Sequence, residues 1–517
     1  MKKREESNRS TPVNSTEDLI TGVSWRRPID RRRFLTLLGA GTLAISVPSL
    51  NLRAEENVMS PKPVSGPGKG TLLEREEPFF AEFSKLFTIS DEHKYLVASQ
   101  KGSMPIPVMK HFKEGLDQIA KDPFPVYLEP SAVTRAKIAK GYGARVDEIA
   151  IARNTTDAIS QILSGIDWRQ GDEILCSTLE YPNCVATIRR VAGRFGVTIR
   201  QFGVPLRPDT EAEEIVDSAR RGIRPGKTKA MFFSCPTQPS GIALPARRLA
   251  RLAQQHGVIT IVDGAHYGGM FDPRLDEVGI DFWGISGHKW QCGPGGTGIL
   301  YVRNALLPSN STPLPRFNLI RSGDLDAPTD GSRPAGFDIG AALSLYGFPE
   351  SADWRALGDS CAMWDRIGRE RIQNYILALA DYARQKLIAA FGEQSMLQPC
   401  RDPELKSGII AFNPFPKPEQ RRNLKFSEEF ESRMLKECGY HLGCGGLGRR
   451  GLTREPDPDA AAFFDGCIPN RDPVTNKPDP GDIPFRFGTP AWCNRADYDR
   501  FVDDCREMVK KMTGVKI

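Results

Sequence analysis

The chain has 517 residues, of which 40% are hydrophobic, 26% charged and 9% aromatic, with 48 Gly and 40 Pro. Those proportions belong to a globular protein of two to four domains and exclude a mainly disordered, collagen-like or polytopic membrane chain. The net charge of +6 would suit nucleic acid or an anionic membrane only if it clustered on a folded surface. It does not: residues 1–54 hold ten basic groups against five acidic ones, so five of the six charges sit there. No nucleic-acid partner is expected.

Taken in chain order, residues 1–54 read as an export segment. From Asp30 the chain runs D-R-R-R-F-L-T-L-L-G-A-G, then weakly apolar to Val47, with a small residue at Ala54. A basic region, an uncharged run and a small residue are the anatomy of a signal peptide. The run is short for a bilayer span, which takes about 20 apolar residues. Arg31-Arg32 followed by Arg33-Phe34-Leu35 resembles a twin-arginine signal. That implies the Tat export machinery as a partner and an exported, periplasmic or extracellular protein that crosses the membrane folded. The alternative is a basic tail ahead of a small amphipathic helix. Residues 55–90 open in a Pro/Gly/Ser-rich stretch and are expected to form a linker and N-terminal arm.

Residues 91–345 are expected to form a large domain. Apolar, β-branched runs near Glu148, Asp172, Val197, Lys229, Val258 and Thr297 alternate with amphipathic stretches at 157–163, 184–194 and 246–256. Strands alternating with helices predict an α/β fold with a mainly parallel sheet covered on both faces. In residues 346–517 the pattern changes to a long helical stretch over 354–391, a short strand at Gly408 and a helix over 427–437. A Pro/Gly/Asp-rich loop over 445–484 and a last helix from Arg495 follow. This predicts a smaller α+β domain.

The chemistry concentrates in V-D-G-A-H at Val262 and S-G-H-K-W at Ser286, which place Lys289 26 residues after Asp263. Asp263 ends an apolar strand, and strand carboxyl ends line the ligand crevice of open parallel sheets. A carboxylate buried there needs a cationic partner. Lys289 lies in an apolar, glycine-flanked segment, where desolvation lowers an amine's pKa and frees its lone pair for attack on a carbonyl. Asn154, Thr155 and Thr156, in R-N-T-T-D-A-I, stand between a strand and a helix, where free N–H groups and hydroxyls suit a phosphate. Taken alone, the tripeptide reads first as an ordinary N-cap. The run from Gly293 to Gly298 lacks the ending of a P-loop. His266 and His288, two of only six histidines, fall in the same constellation. The eleven cysteines are too irregularly spaced for a disulfide framework. Cys438-x-x-His441-x-x-Cys444, with Cys467 beyond, has metal-site residue types but no common zinc spacing, and no metal is assigned.

Together these motifs resemble the class V aminotransferase family of fold-type I pyridoxal-phosphate enzymes over roughly residues 95–509. The pair D-G-A-H and S-x-H-K carries most of the resemblance. It implies a large domain whose mainly parallel seven-stranded sheet lies between helices, a smaller α+β C-terminal domain, and pyridoxal 5′-phosphate as cofactor. It implies that Lys289 holds the cofactor's aldehyde, Asp263 pairs with its ring nitrogen and His266 lies near its phenolic oxygen. Thr155, Thr156, Ser286 and His288 would contact the phosphate, and the ring of Tyr181 would stack on the cofactor. Gly296 and Thr297 would reach a neighbouring subunit's phosphate site, implying a homodimer with shared active sites. Arg486, in F-R-F-G-T-P, would grip the α-carboxylate of an amino-acid-like substrate with its guanidinium fork.

Tyr181, the histidine of D-G-A-H and the form N-T-T-D-A-I look most similar to isopenicillin N epimerase-like members. Epimerisation or transamination at the α-carbon of an amino acid or amino-acid-derived peptide is therefore expected. Cysteine desulfurases usually have His at the Tyr181 position and a nucleophilic Cys beside a His. Cys467 and Cys444 stand 19 and 42 residues before Arg486, and neither directly follows a His, which disfavours sulfur transfer. A cysteine desulfurase or C–S lyase, and a catalytically inactive protein that keeps the fold, are the alternatives. Segments 321–340 and 445–484 depart from the family's usual shape and are candidates to line the substrate pocket.

Overall fold

The computed structural model describes residues 70–515 except 91, 124–127, 306–312, 321, 348, 400, 445–469, 472–477 and 480–481. The expected export segment, most of the 445–484 loop and Cys467 lie outside the described residues. Seven strands form one sheet: β1 Ile149–Ala152, β2 Glu173–Ser177, β3 Thr198–Phe202, β4 Thr228–Ser234, β5 Ile259–Gly264, β6 Phe282–Ser286 and β7 Gly298–Val302. Their order is β1-β7-β6-β5-β4-β2-β3. The five strands from β3 to β6 pair in parallel, while β7 runs antiparallel to both β6 and β1.

Neighbouring residues on each strand point to opposite faces. Leu175, Phe233, Val262, Trp283 and Tyr301 enter one apolar layer. Ile174, Phe232, Ile261, Phe282 and Leu300 enter the other. Both faces are therefore apolar, which explains why these strands read as continuous hydrophobic runs rather than as alternating ones.

The stretch expected as one helix over 354–391 is two, Ser351–Ile367 and Arg369–Phe391. Gly368 separates them at φ +98°, a backbone state that only glycine enters without strain. A small antiparallel sheet follows, with Phe485–Gly488 between Ile409–Phe412 and Gly443–Cys444. Arg486 is carried on its central strand. Phe412, Phe487, Tyr498 and Phe501 pack where the last helix, Arg495–Thr513, covers that sheet.

Within the expected N-terminal arm, Leu72–Ser84 is helical and is started by a capping box between Thr71 and Glu74. Phe80 of this helix stacks on Tyr375 with ring centroids 3.8 Å apart, and Glu77 pairs with Arg495 at 2.7 Å.

Candidate active site

β4, β5 and β6 end side by side, with Ser234 in register with Asp263 and Asp263 in register with Gly284. At this edge opens a cavity of about 580 Å³, lined by Asn154, Thr155, Thr156, Tyr181, Asp263, His266, Ser286, His288 and Lys289. A crevice at the carboxyl ends of parallel strands is where such sheets hold ligands.

One end of the cavity suits an anion. Asn154 caps the helix Thr155–Gly165, its Oδ1 accepting from the Asp157 N–H at 2.9 Å. The remaining first-turn N–H groups have no intrahelical acceptor. The Thr155 and Ser286 hydroxyls lie 2.8 Å apart and draw the helix start to the end of β6. A Cβ on Gly298 would sit 2.8 Å from the Asn154 Cα, so β7 can approach this turn only with glycine there.

At the centre, Lys289 Nζ lies 3.4 Å from His266 Nε2. Burial pulls the Lys289 amine down to about 8, Arg486 acting in the same direction and Asp263 against it. The carboxyl of Asp263 is 3% exposed, and burial raises its pKa despite the Ala265 N–H on Oδ1 at 2.9 Å. Burial, reinforced by Lys289, lowers the His266 imidazole well below its ordinary value, so it is neutral. His266 Nδ1 is buried without a hydrogen-bond partner among the described residues. His288 is lowered too, by burial and then Lys289.

Arg486 comes from the small sheet, about 200 residues further along the chain. Its guanidinium donates to the main-chain carbonyl of Gln238. With its amide oxygen turned inward, Gln238 also accepts from both terminal nitrogens at 2.8 and 3.3 Å. Arg486 has no carboxylate partner among the described residues, and burial lowers it to about 10. A buried guanidinium without a counter-ion is a receptor for one. Gly296 and Thr297 do not line the cavity. Gly296 lies on an exposed turn, whereas the buried Thr297 hydroxyl donates to the Pro294 carbonyl at 2.6 Å.

The lysine is held by its surroundings. The Gly102 N–H donates to the His288 carbonyl at 2.8 Å, and a Cβ there would lie 2.0 Å from the Lys289 carbonyl oxygen. Gly102→Ala must therefore push the lysine segment aside. It is expected to cost about 1–3 kcal/mol of stability, with a loss of activity larger than the fall in Tm alone would cause, measured by thermal melts and turnover on one preparation.

The structure also brings in residues not singled out from the sequence: Glu180, Cys184, Ser234 and Gln238. Ser234 ends β4 beside Asp263, so the rule about strand ends would have found it. Glu180 is 0% exposed. It accepts from the Ser177 hydroxyl, from the Ser234 N–H at 3.1 Å and from the Ser234 hydroxyl at 2.6 Å, tying the segment before Tyr181 to β2 and β4.

Burial first, then the Asp263 charge, raises the Glu180 carboxyl to about 8 from its ordinary 4.5, against those hydrogen bonds. The folded protein thus binds this proton more tightly than the unfolded chain. The resulting stabilisation is full below about 4.5 and is lost as pH rises toward about 8. Glu180→Gln is expected to flatten the decline of Tm between pH 5 and 8. Parallel Tm profiles for the two proteins would contradict this.

The donor set therefore comprises an anion-binding helix start with hydroxyls, an amine of lowered pKa, a buried carboxylate and a buried imidazole with an open nitrogen. It fits a phosphorylated pyridine aldehyde. The family model described as aminotransferase class-V matches residues 130–417. Isopenicillin N epimerase of Amycolatopsis lactamdurans is 30% identical over 260 residues, 49% of this chain and 64% of that protein, so less than two thirds of that relative is spanned. Isopenicillin N epimerase of Streptomyces clavuligerus is 31% identical over 284 residues, 54% of this chain and 69% of that protein. The apo structure of a cysteine desulfurase from Thermococcus onnurineus NA1 covers 83% of this chain and 97% of its own, with a TM-score of 0.62 at 17% identity. That likeness is one of fold: α/β, fold-type I.

Proposed function

The chain belongs to the aminotransferase class-V family, and we propose that it is a pyridoxal-5′-phosphate-dependent enzyme acting at the α-carbon of an amino acid or amino-acid-derived peptide, by epimerisation or transamination. The observation that carries this reading is the convergence of Lys289, Asp263 and His266 on one cavity, near the guanidinium of Arg486, which has no carboxylate partner among the described residues. Asn154, Thr155, Thr156, Ser286 and His288 would hold the phosphate. When bound, the cofactor supplies a conjugated electron sink for negative charge left at the substrate's α-carbon.

The chain's own residues do the rest. Lys289, lowered to about 8, has an appreciable neutral fraction near pH 7. Lys289 would hold the cofactor through its aldehyde carbon and would be the base that takes the substrate's α-proton. Asp263 presents a negative charge to the ring nitrogen and keeps it protonated. Arg486, steadied by Gln238, takes the α-carboxylate and so fixes which bond at the α-carbon faces the lysine. Neutral His266 can present a ring nitrogen to the cofactor's phenolic oxygen. Tyr181 is assigned to stack on the ring, and its hydroxyl is the candidate donor for reprotonation from the other face. On the same reading the enzyme is an exported homodimer, the Arg31-Arg32 signal serving as its address and the exposed turn at Gly296 facing a second subunit.

The test is exchange of the α-proton in deuterated water across a panel of amino acids and aminoacyl peptides. Deuterium uptake with loss of optical purity and no added acceptor identifies an epimerase. Product formed only when a 2-oxo acid is supplied identifies a transaminase. Alanine and sulfide released from cysteine would mark a desulfurase instead, and no exchange with any substrate overturns the proposal.

A further inference from the structure

Cys184 lies in the first turn of the helix Pro182–Phe195, three residues after Tyr181, and is fully buried. Its thiol donates to Asp263 Oδ2 at 3.2 Å. Asp263 Oδ1 accepts from the Ala265 N–H at 2.9 Å. Each carboxylate oxygen therefore holds one donor from the protein, on opposite sides of the group, and rotation of the carboxylate about its last bond would break both. Asp263 has no cation within ion-pair distance among the described residues, so these two donors are what orients it.

We propose that Cys184 is a positioning residue for Asp263, its thiol holding the carboxylate in the orientation from which it meets the ring nitrogen of the cofactor. The inference rests on the pyridoxal-phosphate reading given above. A thiol suits the task because it is a weak donor. It fixes direction while withdrawing little charge from a carboxylate that has to remain basic toward the ring nitrogen. Burial first, and then Asp263 and Glu180, raise the thiol well above its ordinary value, with Lys289 acting the other way. It therefore stays S–H across the working pH range and does not become a second anion beside Asp263. The competing role is packing, since Cys184 also belongs to the apolar layer with Ile159, Ile188 and Phe232, and buried free cysteines commonly serve as small hydrophobes.

The two roles separate in a cycle of two ligands and three proteins. Wild type, Cys184→Ala and Cys184→Ser apoenzymes are titrated with pyridoxal 5′-phosphate and with its 1-deaza analogue, in which C–H replaces the ring nitrogen. Cys184→Ala is expected to weaken pyridoxal phosphate about tenfold, the loss of one hydrogen bond to a charged group. It should leave the analogue within about twofold, because Asp263 has nothing to meet there. Cys184→Ser, which keeps a donor, should recover most of the difference. Equal losses for both ligands would assign Cys184 to packing and overturn the proposal, as would no loss for either. Failure of the wild type to bind pyridoxal phosphate would instead overturn the cofactor reading itself.

Discussion

Lys289→Ala is expected to abolish turnover, by about 10³-fold or more, and to remove the chromophore that borohydride reduces in the wild type. Among the described residues Lys289 is the only lysine lining the cavity. His266 Nε2, 3.4 Å away, cannot replace it, because an imidazole lacks the primary amine that condenses with an aldehyde. The lowered pKa of Lys289 also sets a direction in pH. The neutral amine is the reactive form, so capture of the aldehyde by the apoenzyme should accelerate as pH rises and level off above about 8, well below the ordinary lysine range. Visible spectra before and after reduction, together with stopped-flow capture rates from pH 6 to 10, check both statements. An alanine variant that keeps the same reducible chromophore would place the reactive amine elsewhere.

Asp263→Asn is expected to separate catalysis from stability. The amide keeps the size of the side chain and an oxygen for the Ala265 N–H, but it removes the charge proposed to keep the ring nitrogen protonated. A loss of about 10²–10³-fold in turnover is expected, the scale of removing one preorganised electrostatic partner. Stability should move the other way. The folded-state pKa of Asp263 is raised, chiefly by burial, so ionising it in the fold costs free energy as pH rises above the unfolded value. At pH 7–8 the apo Asn variant should melt no lower than the wild type. Thermal melts of the apoproteins alongside turnover of the reconstituted enzymes read both halves. A destabilised variant would mean that the carboxylate is chiefly structural.

Much of this site was legible because chemistry and punctuation coincide in the sequence. Asp263 is the last residue but one of β5, Ser286 closes β6 and Asn154 lies two residues after β1, and the ends of buried strands are sharp where apolar runs stop. The approach of Arg486 was not legible from patterning. It stands on a strand of a different sheet, and only resemblance to a known family placed it beside the lysine. Glu180 and Cys184 escaped for a different reason. One adjoins Tyr181 and the other begins a helix, and neither position signals that β2, β4 and β5 converge there. The break at Gly368 was hidden because a single glycine between two strongly helical stretches is compatible with either continuation or interruption. Thr297 came from the family resemblance rather than from local pattern, and within one chain its buried hydroxyl donates to the Pro294 carbonyl.

The helix Leu72–Ser84 has a consequence for the order in which the molecule can be completed. Its aromatic partners are Tyr375 and Trp364, and its acidic Glu77 waits for Arg495. All are synthesised roughly 280 to 420 residues later. During translation, Phe80 and Phe83 therefore lack these two ring partners until residues 364 and 375 of the 517 have been made. A polypeptide that stops short of the helix Arg495–Thr513 leaves Glu77 without Arg495, although Glu76 can still pair with Arg371. If residues 1–54 act as the export signal read from the sequence, the helix that follows them is finished only when the enzyme is.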